Sequence, residues 1–189
     1  MRVAVAAGPG RTALLQELAE DGSGYAAPAL VNDFPAAVAE YERTRPGGEH
    51  VRWVWADTSV IYPSLLRAGV RVDRCHDAAL TEALLRAREG TGLTAAGLPG
   101  PGLSGAGPAG RPPAAGQATL FGPAEPGVAE AREVLRALVG VHADQLRRIA
   151  ADTHPARFGL LAAVESAGGL AAAEMSARGM PWRADIYLL

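Results

Sequence analysis

The chain has 189 residues and a net charge of −2, enough for one medium domain or a domain with a tail, and no global basic field draws it onto nucleic acid. Hydrophobic residues make up 49%, but many are Ala and aromatics are only 5%, so the core must rest on Leu and Val. The single Cys75 excludes an internal disulfide and suits a reducing cytoplasm; with no apolar run of about 18 residues and no signal-peptide pattern, neither a membrane partner nor export is expected.

RVAVAA (2–7) predicts a strand and GPGR a turn after it. TALLQEL (12–18) predicts a second strand, ended by EDGSG, and PALV (28–31) a third. Asn32 and Asp33 read as a helix cap before FPAAVAEYERT (34–44), which Pro46-Gly47-Gly48 stops. VRWVWAD (51–57) is a strand with Trp53 and Trp55 on one face, where sheet packing is the expected role. SVIYPSLLRAG (59–69) is a short helix with Gly69 as its stop, and VRVDRC (70–75) reads as a strand. HDAALTEALLRARE (76–89) predicts a helix on which Leu80, Leu84 and Leu85 share a face and Arg86 and Arg88 sit in the last turn.

Residues 97–127 hold nine Gly and seven Pro, a composition that cannot offset its ordering entropy, so a disordered linker is expected there. Two helices follow. The first, 128–152, carries Val134, Leu135, Leu138, Val141, Leu146 and Ile149; the second, 156–178, carries Leu160, Leu161, Val164, Leu170 and Met175. Gly168-Gly169 inside the second costs about 1 kcal/mol per glycine relative to Ala, which predicts close packing or a kink. The expected fold is α/β, a sheet with helices packed on it.

Residues 53–88, WVWADTSVIYPSLLRAGVRVDRCHDAALTEALLRAR, resemble the 3′–5′ exonuclease-like domain of family A (DNA polymerase I type) DNA polymerases. Gly69-Val70 and His76-Asp77 hold the framework of the family's Asn-x-x-Tyr-Asp-to-Phe-Asp-Thr stretch. VHADQLRRIA is similar to the helix after the linker, and LLAAVESAGGLAAAEMSARGMPWRAD to the junction helix, with Glu165, Leu170, Met175, Gly179 and Asp185 in the family's order. The group most like this chain is the actinobacterial-type bifunctional 3′–5′ exonuclease/DNA polymerase. The resemblance implies a ribonuclease H-like (exonuclease-type) sheet. It divides the chain into an exonuclease-like region (1–96), the linker (97–127) and a helical completion with junction helix (128–189). It also implies DNA as the partner of a longer polymerase, with Mg2+ as that polymerase's cofactor and none for this chain. ADIYLL ends where the polymerase domain would begin, so a fragment of a longer protein is expected.

The family's exonuclease cleaves by two-metal hydrolysis, which needs about four carboxylates in one cleft. All three of its acidic motifs depart from pattern here. The first strand, RVAVAA, has no acid, and the first acid in the chain is Glu17. Ile61 stands where the second motif's Asp would be, with Asp57 at the Asn position. Leu138 and His142 stand at the ends of the third motif, Tyr-x-x-x-Asp, with Asp144 two places late. The candidates for an irregular metal site are therefore Asp57, Asp77, Asp144 and His142. The competing reading makes Asp57 and Asp77 helix caps, leaves Asp144 on a solvated helix face, and leaves the chain with no metal and no catalytic residue. That reading is favoured: a degenerate, structural exonuclease domain. The alternatives are an active metal-dependent exonuclease with displaced ligands and a non-enzymatic clamp adaptor.

Gln117-Ala-Thr-Leu120-Phe121 matches the bacterial sliding-clamp-binding pattern Gln-x-x-Leu-Phe. An unstructured segment keeps such a peptide available; Leu120 and Phe121 supply apolar anchors and Gln117 supplies amide hydrogen bonds. A sliding clamp is thus an expected partner. Arg147, Arg148 and Arg157 are candidates for a DNA-backbone contact, but a solvated helix face is the expected role.

Overall fold

The computed structural model describes residues 1–44, 50–90 and 127–179. The linker up to residue 126, the clamp-like Gln117, Leu120 and Phe121, the Pro46-Gly47-Gly48 stop and Asp185 lie outside the described residues.

Five strands form one sheet in the order β3-β2-β1-β4-β5: β1 (Arg2–Ala7), β2 (Ala13–Leu18), β3 (Ala29–Val31), β4 (Arg52–Trp55) and β5 (Cys75–Asp77). β2 runs antiparallel to both β1 and β3, while β4 is parallel to β1 and β5 parallel to β4. The fold is mixed α/β.

Side chains alternate across each strand, so each strand feeds two cores. Val3, Val5, Leu15, Trp53 and Trp55 face one side. There they meet Phe34 and Val38 of α1 (Phe34–Arg43) and Tyr62 and Leu65 of α2 (Thr58–Arg67). Both buried indoles find acceptors: Trp53 Nε1 donates to Glu42 at 2.8 Å and Trp55 Nε1 to Thr58 Oγ1 at 2.9 Å. Ala4, Ala6, Leu14 and Val54 face the other side and meet Ala131, Leu135 and Leu138 of α4 (Val128–Ala150). α4 also docks on the turn after β2. A Cβ on Gly22 would sit 3.0 Å from the Ala143 Cα, and Gly22 has φ +86°, so this approach requires glycine.

α3 (Ala78–Arg88) and α5 (Pro155–Arg178) close the β5 side of the sheet. Phe158, Ala162, Ser166 and Leu170 form the buried row of α5. Gly169 is a close-packing position: a Cβ there would lie 3.2 Å from Leu80 Cδ1 and 3.6 Å from Thr58 Cβ. Gly168 faces open space. α5 has the length and mean hydropathy, 1.2, to cross a membrane, with 22% of that window buried.

Two expectations are corrected. Residues 70–74 are not a strand, because Gly69 turns the chain (φ +75°), Val70 N bonds back to Leu65 O, and ladder pairing begins only where Cys75 meets Trp53. Pairing then continues through His76 and Asp77, so α3 begins at Ala78 rather than at His76. Of the apolar residues expected on the last two helices, Val134, Val141, Leu160, Leu161, Val164 and Met175 are exposed. Their places inward are taken on α4 by Ala131, His142 and Gln145 and on α5 by Phe158, Ala162 and Ser166, because those positions share the stripe that meets the sheet.

Candidate functional site

The four candidate ligands do not converge. Asp57 is the N-cap of α2, accepting from the Ser59 amide at 2.7 Å and from Ser59 Oγ at 2.7 Å. Asp77 is buried and serves two helices: one carboxylate oxygen accepts from the Leu80 amide of α3 at 2.9 Å, the other from the Thr58 amide of α2 at 2.7 Å. Its own amide donates to Ser166 Oγ on α5 at 3.1 Å, which ties three helices to the end of β5. Asp144 pairs with Arg147 and Arg148 on the outer side of α4. His142 lies on the opposite, inward side of that helix. Among the described residues, no three His, Cys, Asp or Glu side chains gather closely enough to hold a cation. The donor set does not fit a two-metal centre.

A cleft of about 300 Å³ opens beside the C-terminal end of β1. Ala7, Thr12 and Ile61 line it with Ser64, Arg11 and Arg67. Arg11 is held by Asp33 at 2.7 Å, and the Arg11 guanidinium holds the Asp33 carboxyl below its ordinary value. The described lining of the cleft is apolar, hydroxylic and cationic, with no carboxylate among it.

The densest buried chemistry lies between β5, α3 and α4. His76 Nε2 meets Gln145 Oε1 at 2.9 Å, and Gln145 Nε2 donates to the Ala78 carbonyl at 2.8 Å. Beside them, His142 is fully buried, and neither ring nitrogen has a hydrogen-bond partner among the described residues. Thr81 Oγ1 is likewise unpartnered. Burial, with the neighbouring His76 and Arg2 and Arg52 beyond it, lowers the His142 pKa to about 3. Burial lowers that of His76 as well, opposed by its Gln145 hydrogen bond. Both rings are neutral at physiological pH and sealed from solvent, which suits packing rather than proton transfer to a substrate. Helical periodicity alone does not reveal this layer, since a His and a Gln in an amphipathic helix read as solvent-facing.

Arg148 bridges α4 to α3 through Glu82 at 2.8 Å and Glu89 at 2.9 Å, and Arg147 pairs with Asp144 on the exposed surface of α4. Arg157 is exposed at the start of α5. Burial pushes the Cys75 thiol up to about 12, which keeps it protonated and unreactive. Of the junction-helix residues, Leu170 is buried, Glu165 and Met175 are exposed, and Gly179 follows the helix with φ +73°. In comparisons with known proteins, no family model, no curated protein and no solved structure matches this chain.

Proposed function

We propose that this chain is the exonuclease-like N-terminal region of a family A DNA polymerase, with its hydrolytic centre lost. It serves DNA replication or repair as a scaffold and, through Gln117, Leu120 and Phe121, as a tether to a sliding clamp. The observation that carries this reading is the sheet. A five-stranded order β3-β2-β1-β4-β5, antiparallel only at β2, with helices on both faces, is the arrangement expected of a ribonuclease H-like domain. Loss of hydrolysis is supported by the use of Asp57 and Asp77 as helix caps and by Ala7 and Ile61 in the cleft at the end of β1. Mg2+ chemistry would then belong to the polymerase domain.

The test incubates the purified chain with end-labelled single-stranded DNA and Mg2+ or Mn2+. No shortening is expected. Metal-dependent degradation that disappears in Asp57→Ala or Asp144→Ala would overturn the reading in favour of a live nuclease with displaced ligands.

A further inference from the structure

Three neighbouring strands bring an arginine to the same end of the sheet. Arg2 opens β1, Arg52 opens β4, and Arg74 immediately precedes β5. Parallel pairing sets Arg2 beside Arg52, and the Trp53 amide donates to the Arg74 carbonyl at 3.1 Å, so the three stand in a row. At about 4.8 Å between strands the row spans roughly 10 Å. All three line one groove of about 650 Å³, with Glu20, His50 and Met1 around them.

Like charges side by side across strands destabilise a sheet, so such a row calls for counter-charge. Glu20 lines the groove but forms no ion pair with the row. Arg2 donates to the Glu20 backbone carbonyl at 2.9 Å and Arg52 to the Cys75 carbonyl at 3.2 Å, and none of the three makes an ion pair with a described carboxylate. Arg11, Arg43, Arg71, Arg88 and Arg136 each pair with a carboxylate and Arg148 with three, while Arg67, Arg132, Arg157 and Arg178, like the row, have no ion pair with a described carboxylate but do not stand side by side on neighbouring strands. The histidine in the groove is already engaged, with His50 Nδ1 2.8 Å from Asp73. Arg52 is half-buried, and its desolvation, then the charges of Arg74 and Arg2, disfavour its charged form.

We propose that this groove is a phosphoanion site, in which Arg2, Arg52 and Arg74 together hold the terminal phosphate or diphosphate of a nucleotide or of a nucleic-acid end. Guanidinium forks match phosphate oxygens bidentately, and a groove of this volume admits a nucleotide. The site lies at the N-terminal ends of β1 and β4, opposite the cleft lined by Ala7 and Ile61, and does not depend on nuclease or clamp function.

The test titrates the full chain with pyrophosphate by calorimetry at low salt. A second arm uses fluorescence anisotropy with one oligonucleotide carrying either a 5′-phosphate or a 5′-hydroxyl. Saturable pyrophosphate binding is expected, about tenfold weaker in Arg74→Gln and in Arg2→Gln, and unchanged in Arg132→Gln, an exposed arginine on α4. Arg74 is exposed and meets the sheet through its backbone carbonyl, so Arg74→Gln leaves the fold intact; circular dichroism checks this. Preference for the 5′-phosphorylated oligonucleotide assigns the site to nucleic-acid ends, and pyrophosphate binding without that preference assigns it to free phosphoanions. Absence of saturable binding to either probe, or equal affinity in wild type, Arg74→Gln and Arg2→Gln, overturns the proposal.

Discussion

The rings of His76 and His142 meet edge to face, 4.4 Å between centroids and 71° between planes, in the interior between β5 and α4. One of the pair is hydrogen-bonded through Gln145; the other has no partner among the described residues. Unfolding exposes both to water, where imidazole protonates near its ordinary 6.5, whereas in the fold the His142 value is about 3. The unfolded chain therefore binds more protons between those values. The stability from the neutral His142 ring is fully present above about pH 6.5 and falls as pH drops from there toward 3, by up to about 1.4 kcal/mol per pH unit, and the lowered pKa of His76 acts in the same direction. Urea unfolding at pH 7.5, 6, 5 and 4 should show this slope.

His142→Leu should flatten that slope. It also removes an orphaned polar ring at no cost in hydrogen bonds, so stability at pH 7 should rise by about 1 kcal/mol. A variant less stable than wild type at pH 7, with the acid slope intact, would show that the imidazole has a partner in solution.

Asp57 and Asp77 should separate by stability. Asp57→Ala loses one N-cap at the protein surface and should cost about 1 kcal/mol. Asp77→Ala leaves the Thr58 and Leu80 amides without their shared acceptor in a buried setting, and should cost about 3 kcal/mol. Chemical denaturation of the two variants checks the order. Equal costs would show that Asp77 does not join the two helix starts.

The two adjacent glycines of α5 should respond in opposite directions. Gly168→Ala meets nothing within 4 Å and gains helix propensity, so it should stabilise by up to about 1 kcal/mol. Gly169→Val drives its side chain into Leu80 and Thr58 and should destabilise by about 1–3 kcal/mol. Thermal melts of the pair measure how tightly α5 is seated.

For the clamp tether, Leu120→Ala with Phe121→Ala should abolish binding to a bacterial sliding clamp in a pulldown and leave the melting temperature unchanged. Both side chains lie in the Gly/Pro-rich stretch and are expected to add nothing to the core. Undiminished capture of the clamp by the double variant would sink the tether.

Local pattern carried much of the fold. The strands at 2–7 and 13–18, the Asp33 and Asp57 caps and the two long C-terminal helices follow from alternation, capping chemistry and 3.6-residue periodicity, all of which act within a few residues. The strand expected over 70–75 shares only Cys75 with β5, because alternation cannot say where a strand finds its partner: the Trp53–Cys75 pairing starts β5 five residues later and carries it on to Asp77. Tertiary structure alone decided the rest. Which stripe of α4 faces inward, and so buries His142 and Gln145 while exposing Val134 and Val141, depends on how that helix lies across Ala4 and Ala6. The row of Arg2, Arg52 and Arg74 exists only because the parallel register aligns three positions 50 and 22 residues apart in the chain, and sequence periodicity does not carry register between distant strands.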